Sequence, residues 1–427
     1  MKAPLIVFIL LSCGRLAAQN IDAIINPSAV ESIEKVLSSD AMRGRGTFTP
    51  DIDRAAAFIQ SQFRKAGLKT WNGSSSYLQP FSLVQAKTVS VKATADGVEV
   101  PADHIVIAST SRHISMDENS GYQTAFVKAG DNLGTVMKYL GQDHTNYLVL
   151  VDTSFTKIFP RLSRFGQQQF SSPRNVIFIL GTTAPTHYTI TADQEVQEQK
   201  LQNVVGILPG RSKKNEYVIF SGHYDHLGVG KPDEKGDSIY NGANDDASGS
   251  TAVIMLANYF TKLKNNERTL VFVTFTAEEI GGYGSQYFSR QFDPANVEAM
   301  FNIEMIGTES KWGVNSAYIT GYERTDMGKI LEKNLMGTPF TFYPDPYPQQ
   351  QLFYRSDNAT LARQGVPAHT ISTSKMDSEK YYHTQGDEIS TLDMKNMALI
   401  IKSIALSART IIAGTDTPSR VDTSQLR

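Results

Sequence analysis

An α/β protein, with a central mixed, mostly parallel sheet flanked by helices and a mostly β inserted unit, is what three features of the 427-residue sequence predict. From Asn203 onward, strand-like, loop and helix-like segments alternate several times, the pattern of a mixed or parallel sheet. The stretch "RTLVFVTFTAEE" (268–279) begins as a nearly unbroken apolar run, which suits a strand covered by helices on both faces. Between Val84 and Lys200 the character changes: short β-branched runs such as "TVSVKATA" and "NYLVLVDT" alternate with polar stretches. The length suits one large α/β domain with an insertion, and 41% hydrophobic residues supply an ample core.

The elements follow in order. "MKAPLIVFILLSCGRLAAQN" has a positive start, an apolar stretch and small residues at Ala17 and Ala18. It reads as a signal peptide over 1–18, so export to the periplasm or the exterior is expected. Arg15 interrupts it too early for a membrane-spanning helix, which needs about 20 apolar residues. Cys13, the only cysteine, lies in "LLSCG", which resembles a bacterial lipoprotein cleavage site; lipid anchoring at Cys13 is the second expectation for this leader. With no other cysteine, the mature chain has no internal disulfide. Helical spacing marks 29–39 and 51–68, the second stopped by Ala66-Gly67. The domain expectation is therefore an N-terminal part of the α/β domain over 19–84, a β-rich insertion over 85–200, the main α/β part over 201–414 and a fraying polar tail over 415–427. Within the main part, strands are expected at "EYVIFSGH", "RTLVFVTF", "AMFNIEMIG" and "GVPAHTIST". Helices are expected over 248–263, N-capped by Ser248, and over Met394–Ile412. A net charge of −2 and the lack of any Lys/Arg-rich run remove a general argument for nucleic acid or an acidic membrane surface.

Acidic and histidine residues gather where these strands end. "SGHYDHLG" carries His223 and Asp225; "NGANDDASGS" carries Asp245 and Asp246; "TAEEIGG" carries Glu278 and Glu279; "NIEMIG" carries Glu304; "YYHTQGDE" carries His383 and Asp387. Open α/β sheets bind ligands outside the carboxyl ends of their strands. Carboxylates converging there repel each other unless a cation joins them. Two histidines and three carboxylates suit zinc, which takes nitrogen and oxygen ligands at about 2.0–2.2 Å. Five ligands exceed the need of one catalytic zinc. Two zincs roughly 3.5–4 Å apart, sharing one carboxylate, use them all. Adjacent glutamates diverge, so one can bind metal while the other faces water as a base.

The segments "SGHYDHLG", "NGANDDASGS", "FTAEEIGGYGS", "NIEMIG", "RSDNATLARQGVPA" and "YYHTQGDEIS" resemble, in this order, those of the M28 family of zinc-dependent exopeptidases. "LSSDAMRGRGTFTPDIDRAAAFIQSQFRKAGL" is similar to the segment that opens the catalytic domain in many members. The resemblance implies a zinc-exopeptidase fold of the phosphorylase/hydrolase-like kind, with a protease-associated domain or another small β unit as the insertion. It implies His223 as a ligand of one zinc, Asp245 as the bridge, Glu279 and His383 as ligands of the other, and Glu278 as general base. Glu304 stands where the family usually has aspartate, one methylene shorter. Asp225 resembles the carboxylate that orients His223, and Tyr382 a tyrosine that hydrogen-bonds the oxyanion. The implied activity is removal of N-terminal residues from peptide substrates by a hydroxide held between two zincs. Three other readings stay open: a glutamate-releasing carboxypeptidase, a one-zinc glutaminyl cyclase, and a non-catalytic binding protein.

Several neighbours read more plainly. His226 is expected to line the pocket without binding metal, and His369 to be a satisfied core histidine. Asp246 is expected to support its loop or cap the helix, and Asp387 to fix the loop after His383. Arg355 fits substrate contact and pairing with Asp357 equally well. There is no His-Glu-x-x-His helix, no Gly-x-Ser-x-Gly elbow and no phosphate-binding glycine loop, which disfavours other hydrolase classes.

Overall fold

The computed structural model describes residues 21–141, 145–166 and 168–426. The expected leader and Cys13 lie outside them. The chain divides into two compact units, one ending at Pro80 and resuming at Gln202, the other Phe81–Leu201.

In the first unit, two helices open the chain. α1 (Pro27–Leu37) starts at Asn26, whose side chain accepts from Ala29 N, with Pro27 in the first turn, where its missing N–H costs nothing. α2 (Pro50–Ala66) starts in the same way at Thr49 and stops at Gly67, whose φ of +79° is the left-handed conformation that ends helices. The sheet follows: β1 (Lys213–His223), β2 (Arg268–Phe275), β3 (Val297–Ile303), β4 (Ser316–Ile319), β5 (Thr341–Pro344) and β6 (Ala368–Ser372). Their spatial order is β5-β4-β6-β3-β1-β2, followed by residues 204–208 against β2 and Lys69–Thr70 beyond them. The four central strands β6, β3, β1 and β2 run parallel, whereas β4 meets β6 and residues 204–208 meet β2 antiparallel.

Both faces of the sheet are covered, which explains the unbroken apolar strands. On one face, α1, α2, α3 (Ser248–Leu263) and α4 (Met394–Ser407) bury a single large core. Phe220 of β1 stacks there on Phe260, Phe272 and Phe301 at ring distances of 5.5, 5.6 and 5.0 Å. On the other face, Phe288, Phe292 and Leu361 pack against Ile219, Val271 and Val273.

Two details differ from the sequence expectation. Ser248 does not cap α3: it lies inside the helix and donates to Asn244 O, while Asp246 accepts from Gly249 N and serves as the cap. Nor does the chain beyond Gly414 fray. Val421 is buried, Arg420 donates to Val297 O and Pro294 O, and Asp326 accepts from Ser419 N, because Asp and Ser side chains satisfy the turns of this polar segment.

The second unit holds a four-stranded sheet in the order Ile105–Ser109, Asn175–Leu180, Tyr147–Val151, Gln123–Val127. Its last two pairs are parallel, and the helix Leu133–Leu140 makes the crossover between Gln123–Val127 and Tyr147–Val151. It is therefore a small α/β body with an apolar core on each face of its sheet. Among the described residues, no helix is long and apolar enough to cross a membrane.

Candidate metal centre

The carboxyl ends of β1, β2 and β3 deliver His223, Glu278–Glu279 and Glu304 to one place. The loop before α3 delivers Asp245 to it, and the loop after β6 delivers His383. Two overlapping sets result. His223, Asp245 and Glu304 place one potential ligand atom each within 4.8 Å of one another, and so do His226, Asp245 and Glu279. His223 Nε2 stands 3.2 Å from Asp245 Oδ1, and His383 Nε2 stands 3.2 Å from both Asp245 Oδ2 and Glu279 Oε2. The two oxygens of Asp245 thus face two different sets.

These separations fit a metal. Two ligands at about 2.0 Å from one tetrahedral ion lie about 3.3 Å apart. His223 Nε2 and Glu304 Oε2 are buried and make no hydrogen bond, which is costly for groups that nothing joins. Nitrogen and oxygen donors with no thiolate are the chemistry zinc accepts. The longer Glu304 reaches the same set as His223 and Asp245, so its extra methylene is accommodated.

His226 does more than line the pocket. Its Nδ1 lies 2.7 Å from Glu279 Oε1, a hydrogen-bond distance and shorter than two ligands of one ion would keep. It therefore holds the Glu279 oxygen that faces away from His383. The ring sits against Gly242, whose φ is +56° and where a Cβ would stand 2.5 Å from the imidazole. The only hint in the sequence was the i, i+3 repeat of histidine in "HYDH".

Asp225 also differs from its expected role. His223 Nδ1 is held by the backbone carbonyl of Asp225 at 3.1 Å, while the carboxylate is 3.7 Å away, beyond hydrogen-bond reach. That carboxylate instead accepts from Glu278 N, Glu279 N and Thr47 Oγ1, and so shapes the turn carrying both glutamates. Asp246 accepts from His223 N and Met305 N as well as Gly249 N. Asp387 reaches across to accept from Asn244 N and Asp245 N. Arg355 donates to Gln350 and contacts Tyr382 Oη at 3.5 Å, and no ion pair joins it to Asp357 among the described residues. His369 is a core histidine, bonded to Thr325 and Thr320.

Backbone strain collects here. Ala277, Met305 and His383 have φ of +61°, +53° and +57°, a conformation that non-glycine residues avoid unless their surroundings impose it. The electrostatics are equally unrelaxed. Burial pushes Glu304 up to about 7 and, with Glu304, Asp357 and Glu279 adding, raises Glu278 well above the usual carboxylate range. Asp245 and Glu279 lift His383 to about 10. Burial opposes charge on His223, yet Asp225, Asp245 and Glu278 outweigh it and raise the imidazole. Without a cation, protons would have to do the joining. Beside Glu304 lies a cavity of about 40 Å³, lined also by Met305, Tyr318, Leu352, Arg355 and Tyr382.

Residues 203–408 match the sequence model of Peptidase family M28. That stretch is just under half of the chain, and through it the chain is similar to the family. Similar proteins include a leucine aminopeptidase 1 of Ajellomyces capsulatus, 25% identical over 287 residues, 62% of this chain and 71% of that protein. A probable zinc metalloprotease of Pyricularia oryzae is 34% identical over 113 residues, 26% of this chain and 22% of that protein. The chain thus spans between about a fifth and about seven tenths of the length of these two relatives. An aminopeptidase from Aneurinibacillus sp. strain AM-1 shares the fold with a TM-score of 0.54 at 17% identity, covering 92% of this chain and 95% of that one. So does BSAP, a zinc aminopeptidase from Bacillus subtilis, with 0.52 at 15% identity and coverages of 93% and 98%.

Proposed function

We propose that the protein is a zinc aminopeptidase with two metal positions, His223–Asp245–Glu304 and Asp245–Glu279–His383. The observation that carries this is the single Asp245 carboxylate facing histidines on both sides at 3.2 Å. Zinc bound there supplies Lewis acidity, lowering the pKa of water and polarising the scissile carbonyl.

The chain's own groups do the rest. Glu278 Oε2 lies 4.0 Å from His223 Nε2, close to the metal set without belonging to it. It takes the proton of the attacking water and passes it to the leaving amine. Tyr382, kept protonated by burial and by the carboxylates Asp245, Glu304 and Glu279, donates to the oxygen on which charge develops. Those same carboxylates attract the free α-ammonium of the substrate, which favours an N-terminal residue. Met305, Tyr318 and Leu352 give the adjoining cavity an apolar wall for its side chain. The relatives named as aminopeptidases support this reading over the carboxypeptidase, cyclase and binding-protein readings.

The test is zinc per chain by elemental analysis, with hydrolysis of aminoacyl substrates measured alongside. About two zincs are expected, falling towards one in Glu304→Ala, whose cost in affinity is expected to be at least as large as the roughly 10–100-fold typical of outer-shell partners. Zinc-free wild type after zinc supply, or two zincs without aminoacyl hydrolysis, would overturn it.

A further inference from the structure

The segment Arg45–Thr47 comes from the N-terminal part of the chain and carries no metal ligand, yet it is wired into three of the loops that do. The Arg45 guanidinium is fully buried. Its Nε donates to Tyr224 O at 2.8 Å, its Nη1 to Leu37 O at 2.7 Å and Asn241 O at 2.6 Å, and its Nη2 to Gly242 O at 2.8 Å. Tyr224 follows His223, and Asn241–Gly242 lead into Asp245. The same residue's backbone carbonyl accepts from His226 N at 3.3 Å. Two residues on, Thr47 Oγ1 donates to Asp225 Oδ2 at 3.1 Å, and that carboxylate holds Glu278 N and Glu279 N. Gly44 allows the approach: at φ +66°, a Cβ there would stand 2.4 Å from Gly228 O and 2.5 Å from Tyr240 O.

We propose that Arg45 is a positioning residue for the metal centre, a clamp anchored on the α1 carbonyl of Leu37 that sets the spacing of the His223, Asp245 and Glu278–Glu279 loops through three loop carbonyls and the Thr47–Asp225 link. Three properties support this. A guanidinium stays charged and has a rigid planar fork of donors, so it fixes directions that a flexible ammonium cannot. None of its four acceptors is a carboxylate, so its bonding capacity goes to loop geometry. Its charge meanwhile lies among the buried carboxylates Glu34, Asp225, Asp245 and Asp387, which it helps to balance.

The inference rests on the reading of this site as a zinc centre. Its test compares Arg45→Lys with Arg268→Lys, since Arg268 is equally buried but is spent on Glu216, Ile411 O and Asp416 O at the opposite end of β2. The readouts are the rate of zinc release to a chelator, kcat and KM apart, and the melting temperature of the zinc-free protein. Both variants are expected to melt lower. Only Arg45→Lys should release zinc faster, roughly 10–100-fold, the range for residues that orient ligands, and lose kcat with KM nearly unchanged. Zinc release as slow as in Arg268→Lys would overturn the proposal. Should Arg45→Lys give no soluble protein, Thr47→Val decides: release several-fold faster supports the clamp, and release at the wild-type rate overturns it. A wild type that takes up no zinc at all would instead sink the zinc reading itself.

Discussion

The two ends of the parallel strands use buried charge to opposite effect. At the amino end of β2, Arg268 pairs with Glu216 at 2.7 Å and donates to Ile411 O and Asp416 O, while Lys213 meets the same glutamate at 2.9 Å. Lys213 and Arg268 together hold the Glu216 carboxyl below its ordinary range. At the carboxyl end, carboxylates outnumber cations, Glu278 and Glu304 are pushed upward, and His223 Nε2 and Glu304 Oε2 have no hydrogen-bond partner. One end settles its charges within the chain, and the other keeps buried polar groups that the chain itself does not satisfy. The proposed zinc centre sits at that second end.

The largest expected effect that would break this contrast is at Glu278. Glu278→Gln should lower kcat by roughly 10²–10⁴-fold, the usual worth of a general base. Its melting temperature in the zinc-free state should hold or rise. The sign follows from linkage: a carboxyl whose folded pKa is raised costs stability at pH above its unfolded value near 4.5, and glutamine removes that cost. A lower melting temperature with unchanged kcat would make Glu278 a structural residue.

At the other end the order reverses. Arg268→Met should cost about 3 kcal/mol of stability, because it leaves the Ile411 and Asp416 carbonyls without their buried donor. Chemical denaturation reads that loss, while kcat and zinc content should match wild type. Lost zinc would mean that the two ends are not independent.

The smallest effect separates a partly exposed histidine held by two carboxylates from a fully buried one bonded to Thr325 and Thr320. His383 is raised to about 10, whereas burial lowers His369 to about 4. As pH falls below 6.5 the unfolded chain takes up the His369 proton first, so stability drains between about pH 6.5 and 4. The loss is about 2 kcal/mol at pH 5. His369→Gln should shrink the difference in unfolding free energy between pH 7.5 and pH 5 by that amount. An unchanged difference would show that His369 is not the neutral group of the core.

Much of this centre was legible because chemistry-bearing residues stood at the ends of apolar strands. "IFSGH", "VTFTAEE" and "FNIEMIG" each announce a buried strand and then break the apolar pattern with a group that needs a partner. Glu304 illustrates the gain: a buried glutamate is seldom without a partner, and the fold brings it beside His223 and Asp245. The strands Ser316–Ile319 and Thr341–Pro344 were not anticipated, since four-residue runs between loops carry too little periodicity to distinguish them.

The alternation of strands and helices, the apolar interior and the residue types gathered at the strand ends were all readable from the sequence, since each follows from local pattern and the cost of burying charge. Only the tertiary structure decided how those residues are held. Asp225 turned from an imidazole partner into the anchor of the Glu278–Glu279 turn because the backbone carbonyl reached the ring first, at 3.1 Å against 3.7 Å. His226 took hold of Glu279 from 53 residues away. Arg45, with acceptors up to 197 residues distant, could not be seen at all. Its partners are backbone carbonyls, which every residue carries, so no side-chain pattern marks them and only the folded path of the chain brings them together.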